Sequence, residues 1–303
     1  MHYRTLGKTD LRVSEVSVGC NRIGDQNRPD AFWVELIERA VELGVNLFDT
    51  SERYAKSRSE EMLGLALGGQ PDVLIATKAA PNRDAGSNPY TIAALQAQAE
   101  KSLRRLQRET IDIYQLHSPG WEEMLQSDWL EGMARLQEQG KVRYRAVAVR
   151  TVADGLGLIR MGAVDALQIT YNIFETAAQE EGLFAAAVDA GVALLCRMPL
   201  ARGVLTGKFR AHEPVPEGHR ALMEGDRLDG MIGRAELLRP LAENYPGGMT
   251  RMAHHFSLTP PAVSTIIPGA RTMGQLEENV SASNGVGLAA TDQAAVERVR
   301  SSW

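Results

Sequence analysis

Three apolar runs in this chain each stop at an ionisable side chain. "VNLF" ends at Asp49, "IAT" at Lys78 and "YQL" at His117, and Tyr54 follows Asp49 by five residues. Brought together, these four side chains would form the proton side of a carbonyl reduction. A phenol is a poor acid at neutral pH, with a reference pKa of about 10. A nearby ammonium favours the phenolate, and a carboxylate holds that ammonium in place. An imidazole can orient the carbonyl or the phenol by hydrogen bonding. Singly, each residue has a plainer explanation: Asp49 caps the next segment, Lys78 snorkels, His117 is a hydrogen-bonded core histidine. Only a fold that gathers the ends of the three runs in one place turns the set into a site.

The surrounding pattern supplies such a fold. Eight short apolar runs recur along the chain: "EVSVG", "VNLF", "DVLIATK", "IDIYQLH", "VRYRAVAV", "VDALQIT", "VALLC" and "VSTIIPG". Runs this continuously apolar suit parallel strands covered on both faces. Helical segments follow them. In "DAFWVELIERAVELG", Asp30 suits an N-cap, Val34, Ile37 and Val41 recur at helical spacing, and Gly44 suits the stop. Leu95, Ala99, Leu103 and Leu106 share a face of another helix, and "GLGLIRMG" reads as an ordinary helix with glycines. The expected architecture is a (β/α)8 TIM barrel forming one domain over residues 1–303. "YRTLGKTDLRVS" precedes it as a hairpin, a helical region spans residues 234–256, and a final helix spans residues 291–299. In a barrel the C-terminal strand ends share one mouth, so Asp49, Lys78 and His117 would meet there with Tyr54 in the loop above. The longest irregular stretch, residues 206–230, follows the seventh strand on the same face and reads as either a functional loop, such as a lid over bound cofactor, or a disordered one.

Bulk properties narrow the class. The chain has 303 residues, 44% hydrophobic and 23% charged, with a net charge of -5, which offers no basic surplus for a nucleic-acid partner. Cys20 and Cys196 are far apart and read as reduced thiols. No apolar stretch is long enough to span a bilayer, and the first residues lack a secretory apolar core, so a cytoplasmic protein without a membrane partner is expected. No metal site is expected. His254 and His255 are adjacent on a predicted helix and point to different faces, while His212 and His219 lie in the irregular stretch.

The motifs "GVNLFDTSERY", "IATK", "IDIYQLHSP", "LQITYNIF", "PLARGVLTGK" and "IIPGARTMGQLEEN" resemble those of the aldo-keto reductases, in the family's order and over almost the whole chain. The resemblance implies that Tyr54 is the proton donor, tuned by Lys78 and Asp49, and that His117 orients a small carbonyl substrate. It implies a nicotinamide cofactor, NADPH with NADH as the alternative, bound across the barrel mouth. The lack of a G-x-G-x-x-G turn after a strand therefore does not count against a dinucleotide. By the same resemblance, Gln168 contacts the nicotinamide amide and Arg197 lies against its ring. Leu200, Gly203 and Lys208 run along the pyrophosphate. Gly269, Arg271, Gln275, Glu278 and Asn279 bind at the start of the eighth helix, with Arg271 on the 2′-phosphate. Asn21, Arg22 and Trp121 are candidates for the substrate pocket; Arg22 reads either as a hint of a polar or anionic substrate or as an exposed surface arginine.

One segment departs from the family pattern. Where the family commonly has "GVSN" after strand five, this chain has Ala146, Val147, Ala148 and Val149, so two polar contacts to the cofactor are missing. Each such hydrogen bond is worth about 0.5–1.5 kcal/mol. Arg150 or Arg197 is the candidate to compensate. The departure keeps open a cofactor-binding regulatory or scaffold subunit with little turnover. A barrel lyase or isomerase using Lys78 as a Schiff base is a further alternative.

Overall fold

The computed structural model describes residues 1–80, 90–214 and 226–303. Strands β1 (Tyr3–Thr5) and β2 (Arg12–Ser14) pair antiparallel as the expected hairpin. The apolar runs then become eight parallel strands: β3 (Val18–Gly19), β4 (Leu47–Asp49), β5 (Leu74–Ala79), β6 (Ile111–His117), β7 (Val142–Ala148), β8 (Ala166–Thr170), β9 (Ala193–Arg197) and β10 (Val263–Ile267). Each strand pairs with its sequence neighbours, and the bridges Val16–Ile266 and Gly19–Gly269 join the first to the last. The result is a (β/α)8 barrel. At the closure the backbones approach so closely that a Cβ on Gly19 would lie 2.7 Å from the Ile267 carbonyl oxygen.

The helices are α1 (Asp30–Glu42), α2 (Arg58–Leu67), α3 (Ile92–Leu106), α4 (Trp121–Leu125), α5 (Trp129–Glu138), α6 (Val152–Arg160), α7 (Ala177–Glu180), α8 (Leu183–Ala190), α9 (Asp226–Glu243), α10 (Gly248–Leu258), α11 (Met273–Val280) and α12 (Ala290–Arg300). Thr91, Thr151 and Thr272 cap α3, α6 and α11 by accepting a first-turn backbone N–H. Asp30 is not the cap of α1. Pro29, extended at φ -68°, takes that place, and Asp30 sits in the first turn, where its carboxylate pairs with Arg58.

The expected loop over residues 206–230 is shorter than its composition implies. A 3-10 turn covers Ala201–Thr206, and α9 already begins at Asp226. Gly230 and Gly233 hid the helical pattern there. Gly247 and Gly248, at φ +86° and +69°, break the helical region into α9 and α10. The middle of that stretch, residues 215–225 with His219, lies outside the described residues.

Side-chain alternation sorts the barrel into an outer and an inner layer. Outward residues such as Ile75, Tyr114, Leu167 and Cys196 pack with the helices. Inward residues Leu47, Leu74, Ala76, Ile113, Ala146, Ala166, Ala193 and Leu195 form a second apolar cluster with Leu6, Leu11 and Val13 of the hairpin. The hairpin thus plugs the N-terminal end of the barrel, and the opposite end carries the polar residues.

The two adjacent histidines of α10 do part ways. His255 Nε2 donates to the Ala282 carbonyl at 2.8 Å, and its Nδ1 receives the Tyr245 hydroxyl at 2.5 Å. His254 is fully buried with neither ring nitrogen hydrogen-bonded, and burial, reinforced by His255, lowers its pKa to about 3. In an unfolded chain a histidine titrates near 6.5. Between those values the unfolded state takes up a proton that the folded state refuses, so stability falls as pH drops from about 6.5 toward 3. In equilibrium unfolding, His254→Phe is expected to lose less stability than the wild type between pH 7 and 4. Parallel pH profiles would contradict this.

Candidate active site

The alternation that builds the apolar plug also builds the layer above it. Asp49 lies two residues beyond Leu47, Lys78 beyond Ala76, Gln115 and then His117 beyond Ile113, Gln168 beyond Ala166, and Arg197 beyond Leu195. Ladder register places Lys78 opposite Gln115, His117 opposite Ala148, and Ala148 opposite Gln168.

At the centre is a buried ion pair. Asp49 is 2% exposed and Lys78 0%. Lys78 Nζ donates to Asp49 Oδ2 at 2.6 Å and to the Thr50 carbonyl at 2.8 Å. The other carboxylate oxygen, Oδ1, accepts from Gln115 Nε2 at 2.9 Å and Gln168 Nε2 at 2.8 Å. Burial alone would depress the lysine pKa, but the Asp49 charge and the nearby Tyr54 outweigh it and raise the pKa above the ordinary value. The ammonium is therefore permanent at neutral pH.

Tyr54 begins a 3-10 turn, Tyr54–Ser57, that folds back over this pair. Its ring centroid lies 5.0 Å from Lys78 Nζ and 5.7 Å from that of the His117 ring, which stands perpendicular to it. Burial, and then the charges of Lys78, Arg53 and Arg197, lower the His117 pKa to about 3, so its imidazole is neutral. Its Nδ1 lies 2.9 Å from Ser51 Oγ. The fold thus brings together the four residues whose spacing first pointed to chemistry.

Asp49, Tyr54, His117 and Gln168 line one end of a cavity of about 760 Å³. From there it runs past Arg197, Leu200, Gly203 and Lys208 to Gly269, Arg271, Gln275, Glu278 and Asn279 at the start of α11. The far end is electropositive. Burial lowers the pKa of Lys208 and of Arg271, and the Arg271 charge lowers that of Lys208 further. Among the described residues, no carboxylate lies within ion-pair distance of Arg197, Arg202, Lys208 or Arg271. Cations gathered in this way around a long cleft fit a ligand with phosphates at one end. At the other end Gln168 spends its amide N–H on Asp49, so its carbonyl oxygen remains to accept from a ligand. A dinucleotide fits both ends.

The substrate candidates divide. Asn21 and Arg22 line the cavity, but toward its cationic end. Asn21 Oδ1 is 3.1 Å from where a Cβ on Gly269 would stand, and the charge of Arg22 helps to depress Arg271. Arg22 itself pairs with Asp25 at 3.1 Å. Trp121 is not part of the cavity wall. Its ring packs on Gly157 of α6, where a Cβ would come within 2.4 Å of it. That contact explains one glycine of "GLGLIRMG".

The segment that departs from the family pattern is filled by an arginine. Ala148 is buried between His117 and Gln168 in the inner layer. Arg197 Nη2 donates to the Val149 carbonyl at 3.0 Å and Nε to Thr170 Oγ1 at 3.1 Å, while Nη1 lies 3.5 Å from Ser118 Oγ. Arg150 turns outward and binds the Ser118 carbonyl at 2.8 Å. Of the two arginines, Arg197 lines the cavity beside this segment and Arg150 does not. Sequence reasoning missed Gln115 and Ser51. Gln115 had a legible signal, since it lies two residues before His117 and so faces inward with it. Ser51 had none, because its loop conformation decides where it points.

The ion pair sets a stability prediction. Removing one partner of a buried pair leaves an uncompensated charge and costs about 3–5 kcal/mol. Lys78→Met is expected to destabilise the fold by that order in denaturant unfolding, and adding Asp49→Asn is expected to recover part of the loss. A Lys78→Met variant as stable as the wild type would show that the pair does not anchor the layer.

A model of the Aldo/keto reductase family matches residues 15–300. Among curated proteins, the uncharacterized oxidoreductase YqkF of Bacillus subtilis is 27% identical over 291 residues, covering 94% of this chain and 92% of its own. The L-glyceraldehyde 3-phosphate reductase of Escherichia coli is 26% identical over 326 residues, covering 98% and 92%. Among solved structures, the holo form of aldo-keto reductase AKR11C1 from Bacillus halodurans superposes with a TM-score of 0.83 at 27% identity, covering 99% of this chain and 96% of that one. With the barrel, the polar layer and the cationic cleft, these matches establish that the chain belongs to the aldo/keto reductase family and is an NAD(P)H-dependent oxidoreductase.

Proposed function

We propose that this enzyme reduces an aldehyde, a ketone or a sugar carbonyl with NADPH, and that Tyr54 delivers the proton. The observation that carries this reading is the Lys78–Asp49 pair, buried beneath Tyr54 and His117 at the closed end of the cleft. The bound nicotinamide would supply the hydride to the carbonyl carbon. As charge develops on the carbonyl oxygen, the Tyr54 hydroxyl proton moves to it and a phenolate remains. Lys78 stabilises that phenolate, and Asp49 keeps the ammonium in position. The neutral His117 helps to fix the carbonyl oxygen by hydrogen bonding. Solvent returns a proton to Tyr54, which closes the balance.

Gln168 and Arg197 would hold the nicotinamide end, and Leu200, Gly203 and Lys208 the pyrophosphate. Gly269, Gln275, Glu278 and Asn279 would frame the adenosine end, with Arg271 on the 2′-phosphate. The planar guanidinium suits a phosphate there, which favours NADPH over NADH. The E. coli relative, named as a reductase of a phosphorylated sugar aldehyde, supports the sugar-carbonyl class.

Tyr54→Phe is expected to lower NADPH oxidation with a panel of aldehydes and ketones by about 10²-fold or more, while NADPH binding by fluorescence titration is unchanged. Near-normal turnover would remove Tyr54 as proton donor. Failure of the wild type to turn over any carbonyl despite tight cofactor binding would favour the regulatory-subunit reading. Arg271→Ala is expected to weaken NADPH by about tenfold or more and NADH little. Equal losses would place the 2′-phosphate elsewhere.

A further inference from the structure

The Ser51 hydroxyl has no place in the roles assigned so far, yet it is fully buried and touches the catalytic layer. Its oxygen accepts the Arg53 backbone N–H at 3.2 Å and lies 2.9 Å from His117 Nδ1. With no solvent at hand, the hydroxyl hydrogen needs an acceptor, since leaving it unbonded costs on the order of 1–3 kcal/mol. Among the described contacts of Ser51 Oγ, only His117 Nδ1 can accept it. A neutral imidazole carries one N–H, so a hydrogen bond accepted at Nδ1 leaves that N–H on Nε2. Nε2 has no protein partner among the described residues, and His117 lines the cavity beside Tyr54.

We propose that Ser51 is a positioning residue that sets the His117 tautomer: its hydroxyl donates to Nδ1, fixes the proton on Nε2, and makes His117 a second hydrogen-bond donor to the substrate oxygen beside Tyr54. The consequence for turnover rests on the reductase reading, but the tautomer itself does not. In the opposite tautomer Nε2 would turn a lone pair toward the carbonyl oxygen and repel it. A histidine at the end of β6 can therefore serve an electrophilic role without carrying a charge.

The test is a long-range proton–nitrogen correlation spectrum of enzyme labelled with nitrogen-15 in histidine, with the His117 signals identified by their loss in His117→Gln. Wild type is expected to show Nδ1 unprotonated and Nε2 protonated from about pH 6 to 8. Ser51→Ala is expected to show a mixed or reversed tautomer and to lower kcat for an aldehyde about five- to tenfold, the loss of one hydrogen bond, with NADPH affinity unchanged. Ser51→Thr, which keeps the hydroxyl, should restore both. A proton on Nδ1 in the wild type, or an unchanged tautomer in Ser51→Ala, would overturn the assignment. If Ser51→Ala does not fold, the wild-type spectrum decides alone. The expected spectrum in an enzyme that reduces no carbonyl would sink the reductase reading and leave the role of Ser51 standing.

Discussion

A carboxylate buried at the centre of a barrel is the constraint that organises this molecule. Asp49 is almost wholly removed from water, and a bare charge there would be untenable. It is tolerated because an ammonium and two amides converge on it from three other strands, Lys78 from β5, Gln115 from β6 and Gln168 from β8. Satisfying one charge thus fixes the register and rotamers of four strands at one level of the barrel. Tyr54 and His117 stand on that level, and their mutual geometry follows from it. Lys78 spends two of its three N–H donors on Asp49 and the Thr50 carbonyl, and Asp49 and Tyr54 stabilise its charge. A protonated, doubly bound amine is a poor nucleophile, which argues against Schiff-base chemistry at this residue.

The apolar layer beneath makes the arrangement possible. Alanines at residues 146, 166 and 193 leave room for Leu6, Leu11 and Val13 of the hairpin, so the N-terminal end is packed shut. Small residues below and long polar ones above give the barrel one blind end and one reactive end. At the reactive end, beside the segment where the family commonly has a Ser-Asn pair, the Arg197 guanidinium of β9 spans the Val149 carbonyl and the Thr170 hydroxyl.

Much of this was legible in the sequence, for identifiable reasons. The eight strands announced themselves because most are apolar on both faces, with Arg143 and Arg145 of β7 the exception, and the ionisable residues were visible because they interrupt that pattern at its end. Asp49, Lys78 and His117 could be placed at one mouth from strand ends alone. What failed depended on local backbone or on partners distant in sequence. Pro29 takes the cap position without a side-chain acceptor, and Asp30 falls one residue later, in the first turn, where it pairs with Arg58. The front of α9 was missed because Gly230 and Gly233 mask its period. Trp121 looked like a pocket residue by position, but only the fold shows that Gly157 makes a seat for it elsewhere. Arg22 carried a charge whose meaning depended on Arg271, far away in the chain.

The central claim is that the polar layer holds a carbonyl for reduction by a bound nicotinamide. Mass spectrometry of the alcohol formed from an aldehyde and NADPH deuterated at the transferable 4-position tests it most directly. The account predicts one deuterium at the carbinol carbon of the product. An alcohol without the label, or unchanged aldehyde beside oxidised cofactor, would contradict it.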